Sequence, residues 1–286
     1  MPPPGTAPAS PASSASSTAV ARGGPWWAAW ADLISFRPST AVQTSVNSRY
    51  SDWYIHKLED AYGDINIDKY PVAVSSLPSG MSAESLLEHV RTHINDFVDP
   101  SYSRFDPYDD KYPPAVFGDK ARWLSSSPES AVISIQMRMG GTGPSNPGNW
   151  NWRTGKRTEN YINPDDGSVV CAEKRSNYWI FSTLYTTQDK GHPVSGNRQF
   201  GFLPDPAGGY IFYTRGSDRQ TSFFDQLPIT PVFIMADLLW KSFQERLANY
   251  VNSNGGSATK ATPVSERVYC LAVKYVAWKP TVAWIK

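Results

Sequence analysis

An imidazole, a hydroxyl and a guanidinium stand close together in His192-Pro193-Val194-Ser195-Gly196-Asn197-Arg198. The His192 ring, with an ordinary pKa near neutrality, suits a general acid or base. Ser195 becomes a nucleophile if that imidazole reaches its hydroxyl. No G-x-S-x-G elbow accompanies it, and the segment carries no acid to orient the ring; Asp189 and the distal Asp218 are the candidates for that role. Arg198 and Arg215 present planar donors suited to a carboxylate or phosphate. Asn197 either donates to an oxyanion or forms a turn. The candidate catalytic set is therefore His192, Ser195, Arg198, Arg215 and Asp218, with the reaction undefined and no cofactor specified. A plainer reading competes: Ser-Gly-Asn is ordinary turn chemistry, and Arg198, Asp218 and Arg219 form an ion-pair network that braces the loop.

The elements around these residues must bring them together. Gly191–Arg198 reads as a loop broken by Gly and Pro between strand-like runs at Tyr178–Thr187 and Gln199–Leu203. Pro206-Ala207-Gly208-Gly209 is a turn signal, and Tyr210–Arg215 is the returning strand. This hairpin predicts that His192–Arg198 and Arg215–Arg219 converge at one end of a sheet. Upstream, Ile133, Ile135, Met137 and Met139 alternate with Ser134, Gln136 and Arg138, the period of a half-buried strand. Ser168–Glu173 is another strand after the Asn163–Gly167 turn. Arg267–Trp278 is apolar on both faces and reads as a central strand.

Helices frame this sheet. Ser82 caps a segment to Val98 with an apolar face of Leu86, Leu87, Val90, Ile94, Phe97 and Val98. Thr230-Pro231 opens a long helix whose buried face carries Leu239, Phe243, Leu247 and Tyr250, and Gly255-Gly256 closes it. Pro25–Ile34 is a short helix with Trp26, Trp30 and Leu33 on one stripe. It either lies in a membrane interface, docks in a partner groove or packs on its own domain. The fold expected is α+β, an antiparallel meander with helices packed on it. The organisation expected is a disordered Pro/Ala/Ser tail over 1–24, a helical N-terminal region over 25–124 and the main α+β domain over 125–286.

Composition narrows the function classes. A net charge of +1 without a basic block argues against nucleic acid or an anionic membrane as partner. No run is long enough to span a membrane, and the N-terminus lacks the basic and apolar regions of a secretory signal. His89 and His93 have metal-ligand spacing on a helix, but Val90 stands where H-E-x-x-H needs its Glu and no third ligand is near, so no metal site is expected. Cys171 and Cys270 lie in strand-like runs and read as buried thiols, pairing only if those strands are neighbours. Eleven Trp make sugar or protein contacts conceivable, notably through Trp150 and Trp152 in the polar loop Gly140–Lys156.

The two segments His192–Arg198 and Phe212–Arg219 together resemble a family of uncharacterised bacterial proteins associated with type VI secretion and polymorphic-toxin loci. The resemblance covers about Ser125 to the C-terminus. It implies a secreted effector or toxin acting on a neighbouring cell, cytoplasmic in its producer and exported without a signal peptide. Secretion machinery or a cognate immunity protein would be its partners. A non-catalytic binding or adaptor module using exposed Trp residues is the alternative, and a membrane-acting toxin using Trp26–Ile34 is another.

Overall fold

The computed structural model describes residues 24–114, 116–139, 149–151, 156–158, 162–221 and 231–268. In chain order come α1 (Gly24–Ser35), α2 (Thr40–Asn47), β1 (Trp53–Ile55), β2 (Tyr62–Ser76), α3 (Ala83–Thr92), β3 (Ser103–Pro107), α4 (Tyr108–Lys111) and α5 (Asp119–Leu124). There follow β4 (Val132–Met139), β5 (Asn149–Asn151), β6 (Lys156–Thr158), β7 (Ile162–Lys174), β8 (Tyr178–Thr186), β9 (Val194–Pro204) and β10 (Tyr210–Gln220). The described chain ends with α6 (Pro231–Ser253), β11 (Ser257–Lys260) and β12 (Val264–Val268).

One antiparallel sheet dominates, in the order β11-β2-β10-β9-β8-β7-β4-β3, with β1 on β8 and β12 on β2. The fold is α+β. Strands β7 to β10 form the expected meander, and the Asp205–Gly209 turn closes the predicted hairpin. Residues 25–124 are not helical throughout. They supply β1, β2 and β3 to the common sheet, and β2 pairs with β10 from Tyr210↔Val74 to Gln220↔Tyr62. The boundary expected at 124/125 therefore divides no structural unit. The tail over 1–23, Trp152, Cys270 and most of the strand expected at Arg267–Trp278 lie outside the described residues.

Both faces of the sheet are covered, because strand residues alternate between them. On one face Tyr70, Val72, Val74, Phe200, Phe202, Phe212, Trp179 and Phe181 meet α3, α5 and α6. Helix α6 contributes Leu239, Trp240, Phe243, Leu247 and Val251, an i, i+4 stripe beginning at a helix-opening proline and ending before Gly255 at φ +81. Burying each such side chain contributes about 1.5–3 kcal/mol. Phe200 stacks on Trp179 at 4.7 Å and meets Trp240 edge-on at 5.6 Å, which fixes α6 over β8 and β9. On the opposite face α1 packs Trp30, Leu33 and Ile34 against Ile65, Ile67 and Ile180. The described stripe of α1 thus covers its own sheet. Val42, Val46, Tyr50 and Tyr108 cover Val132, Val170 and Leu184 beside it. No helix among the described residues is long and apolar enough to cross a membrane.

Candidate functional site

The segment expected as a loop is mostly strand. Strand β9 begins at Val194 and pairs along its length with β10, with Ser195 opposite Arg219, Asn197 opposite Ser217 and Arg198 opposite Gly216. Turn-forming residue types are used here for close approach. A side chain at Gly196 would collide with the Ser217 carbonyl and the Asp218 backbone, so glycine lets the two strands lie together. Strand alternation then sends the five candidate residues to different places.

Arg198 and Asp218 meet on the α6 face. Three strands build this cluster row by row. Arg198 on β9 faces Gly216 on β10, which faces Asp68 on β2. Gly216 carries no Cβ, and one placed there would strike both the Arg198 guanidinium and Asp68 Oδ1. The arginine therefore crosses over the glycine, and its Nη2 donates to Asp68 Oδ2 at 2.7 Å. The same Nη2 lies 3.8 Å from Asp218 Oδ2. In the next row Gly196, Asp218 and Asn66 are aligned, and Asn66 Nδ2 donates to Asp68 Oδ2 at 3.2 Å. The guanidinium lies 4.3 Å from the Trp240 ring centroid on α6, so one cation bridges the sheet and its covering helix.

The cluster is buried yet incomplete. Asp68 is 2% and Asp218 8% exposed, and neither Asp68 Oδ1 nor Asp218 Oδ1 has a hydrogen-bond partner. Carboxylate oxygens removed from water normally acquire donors, because leaving them bare costs about 1–3 kcal/mol or more. Burial, reinforced by the negative charge of Asp68, raises the Asp218 carboxyl to about 7 against the opposing pull of Arg198.

The other candidates lie elsewhere. Ser195 and Arg215 sit on the α1 face. Ser195 Oγ is 3.1 Å from Thr221 Oγ1. Arg215 donates to Gln199 Oε1 at 2.8 Å and to the Ala29 carbonyl at 2.7 Å, and pairs with Asp32 of α1. It clamps α1 to the sheet. His192 precedes β9, buried against Gly167. Its backbone N–H donates to His56 Nε2 at 3.2 Å, and its Nδ1 lies 2.8 Å from the Val194 carbonyl. Burial, with His56 adding to it, pushes the ring down to about 3, so it is a neutral imidazole engaged with its own backbone. The convergence expected of all five residues at one sheet end reduces to Arg198 with Asp218.

Sequence reasoning did not reach Asp68, Asn66, Gly216 or Trp240. Tyr70 joins them at the margin, its hydroxyl donating to Asp237 of α6 at 3.0 Å. Cys171 is a buried thiol, its pKa pushed up by burial. His89 and His93 stack at 4.3 Å on each other, and no group of three metal-binding side chains occurs among the described residues.

No known family matches the chain, and no curated protein does. Among solved structures it is similar to the crystal structure of the di-domain ARO/CYC StfQ from the steffimycin biosynthetic pathway, at 10% identity and a TM-score of 0.35. The match covers 68% of this chain and 52% of that one, about half of its length. At that score the likeness assigns neither an activity nor a ligand. The expected identity as a secreted effector or toxin is set aside: nothing among the comparisons bears on type VI secretion.

Proposed function

We propose that the protein binds a small molecule on the α6 face of the sheet, held by Asp68, Arg198 and Asp218. The observation that supports this reading is the pair of buried carboxylate oxygens, Asp68 Oδ1 and Asp218 Oδ1, without donors. A ligand bearing N–H or O–H groups supplies the missing donors, and the exchange from water is favourable where the protein offers nothing else. Trp240, whose ring centroid lies 4.3 Å from the Arg198 guanidinium, stands beside these groups and reports on them. Asp218, changing protonation near pH 7, adds a group able to give or take a proton at the bound molecule.

The test uses full-length protein labelled at the tryptophan indole nitrogens. Benzyl alcohol and benzylamine, each added to millimolar concentration, are expected to shift the Trp240 indole resonance, assigned through Trp240→Phe. The shift should be lost in Arg198→Gln. Failure of both probes to move Trp240, or equal shifts in the Arg198→Gln protein, overturns the reading.

A further inference from the structure

We infer that two asparagines, Asn95 and Asn252, lock the end strands of the large sheet, and that without them the sheet adds strands from a second copy of this chain. The strand order begins at β11 and finishes at β3. An end strand presents a row of backbone N–H and C=O groups that a further strand can join. In an antiparallel pair the joining strand meets alternate residues and exchanges two hydrogen bonds with each, one donated and one accepted. A carboxamide side chain carries one acceptor oxygen and one donor nitrogen side by side, so it can fill such a position alone.

Both ends of the sheet are filled in that way. At β3 the central residue is Phe105. Its N–H donates to Asn95 Oδ1 at 2.8 Å, and Asn95 Nδ2 donates to its carbonyl at 2.7 Å. At β11 the residue is Ala258. Its N–H donates to Asn252 Oδ1 at 2.7 Å, and Asn252 Nδ2 donates to its carbonyl at 3.1 Å. The two asparagines come from different places, Asn95 from the single turn Ile94–Asp96 after α3 and Asn252 from the last turn of α6. The neighbouring outward positions are closed as well. Beside Phe105, the Ser103 N–H donates to the Asp99 carbonyl at 3.2 Å, and Pro107 has no N–H to offer. Beside Ala258, the Gly256 N–H donates to the Val251 carbonyl at 2.9 Å, and Lys260, paired with Glu245, sets a charge on the edge. Asn252 is exposed, so water could satisfy Ala258 in its place. What the side chain adds is occupation of the position that a new strand needs.

Self-association of the full chain is measured by light scattering after size exclusion, from micromolar to millimolar concentration. Asn95→Ala and Asn252→Ala should each raise the association constant about tenfold or more over the native chain, and the double variant should raise it further. Ile180→Val truncates a buried side chain on central β8, away from both ends, and should leave association unchanged. Adding Ala258→Pro to Asn252→Ala removes the N–H that a joining strand must use and should return association to the native level. The inference is overturned if neither asparagine variant associates more than the native chain, if Ile180→Val associates equally, or if the proline fails to reverse the effect. Asn252→Ala decides the matter should Asn95→Ala not fold.

Discussion

Two buried carboxylates, both in acidic-aromatic surroundings, are treated differently by this chain. Asp189, in the link between β8 and β9, is 4% exposed and fully furnished: Tyr108 donates to it at 2.9 Å, Ser168 at 2.7 Å, and Tyr112 through a further short contact. Thr186 extends the network to the Tyr108 hydroxyl at 2.5 Å. The carboxylate is tied to α4, β7 and β8, with no acceptor left open. Asp218, on the other face, has a bare oxygen, a second carboxylate for a neighbour and one guanidinium between them. A closed network braces structure; a partly satisfied one costs stability where it is buried. The same link that holds Asp189 also holds His192 beside His56, a second buried polar pair.

The largest effect that would test this contrast comes from acid. Burial lowers His56 to about 4, and burial with His56 lowers His192 to about 3, from an ordinary 6.5. The unfolded chain therefore binds protons that the folded chain refuses. Stability contributed by the neutral rings is present above pH 6.5 and is lost as pH falls toward 4. Each histidine contributes a slope of about 1.4 kcal/mol per pH unit in that window. Urea denaturation at pH 7, 6 and 5 should show the loss, and His192→Gln should flatten it by roughly half. An unchanged slope in that variant would mean that the link is not the closed, neutral region described.

Removing Asp189 should come next. Asp189→Ala strips one acceptor from three hydroxyls and should cost about 3 kcal/mol, read as a lower urea midpoint with the m-value unchanged. A cost no larger than that of Asp218→Ala would erase the difference between closed and open networks. Gly216→Ala follows, at about 2 kcal/mol, because its methyl must push Arg198 away from Asp68. Ala substitution at exposed Gly208 costs stability through its positive φ of 104 alone, so it controls for backbone strain without touching the cluster.

The sequence reveals those elements whose pattern agrees with their environment. Val132–Met139 alternates cleanly, and α6 has its opening proline, apolar stripe and closing glycines in order. Strand β2 escaped because its polar residues are buried. Ile65 and Ile67 face α1, while Asn66, Asp68 and Tyr70 occupy the inward positions of the α6 face, so hydrophobic alternation is broken where the site lies. Pro71 within the strand weakens the pattern further. The return of alternation at Tyr70, Val72 and Val74 was the available signal. The loop expected at the start of β9 gives way to strand for a related reason: Ser195, Gly196 and Asn197 are turn types in water, but here they are packed beside β10. Arg198 and Asp218 were legible as chemistry-bearing residues. Asp68 and Gly216, which make them a site, depend on the pairing of β2 with β10 across 130 or more residues of chain. No local pattern encodes that pairing.

The smallest effect expected is also the most discriminating. Asp218 is raised from 3.8 to about 7, so the folded chain holds a proton there that the unfolded chain has released. Its contribution runs opposite to that of the histidines: stability rises as pH falls from 7 toward 4 and is lost as pH rises through 7. Asp218→Asn mimics the protonated form at all pH values. It should therefore be nearly neutral near pH 4 and increasingly stabilising as pH rises to 7, by at least the order of 1 kcal/mol at pH 8, where the native carboxylate is ionised and buried. A bracing residue like Asp189 would behave in the opposite way, its Asn variant losing stability at pH 8. If Asp218→Asn destabilises the protein at pH 8, the carboxylate is satisfied in the native state and the open site is gone. Stabilisation that grows from pH 4 to pH 7 and then levels off would identify Asp218 as a carboxyl that the fold ionises only at a cost.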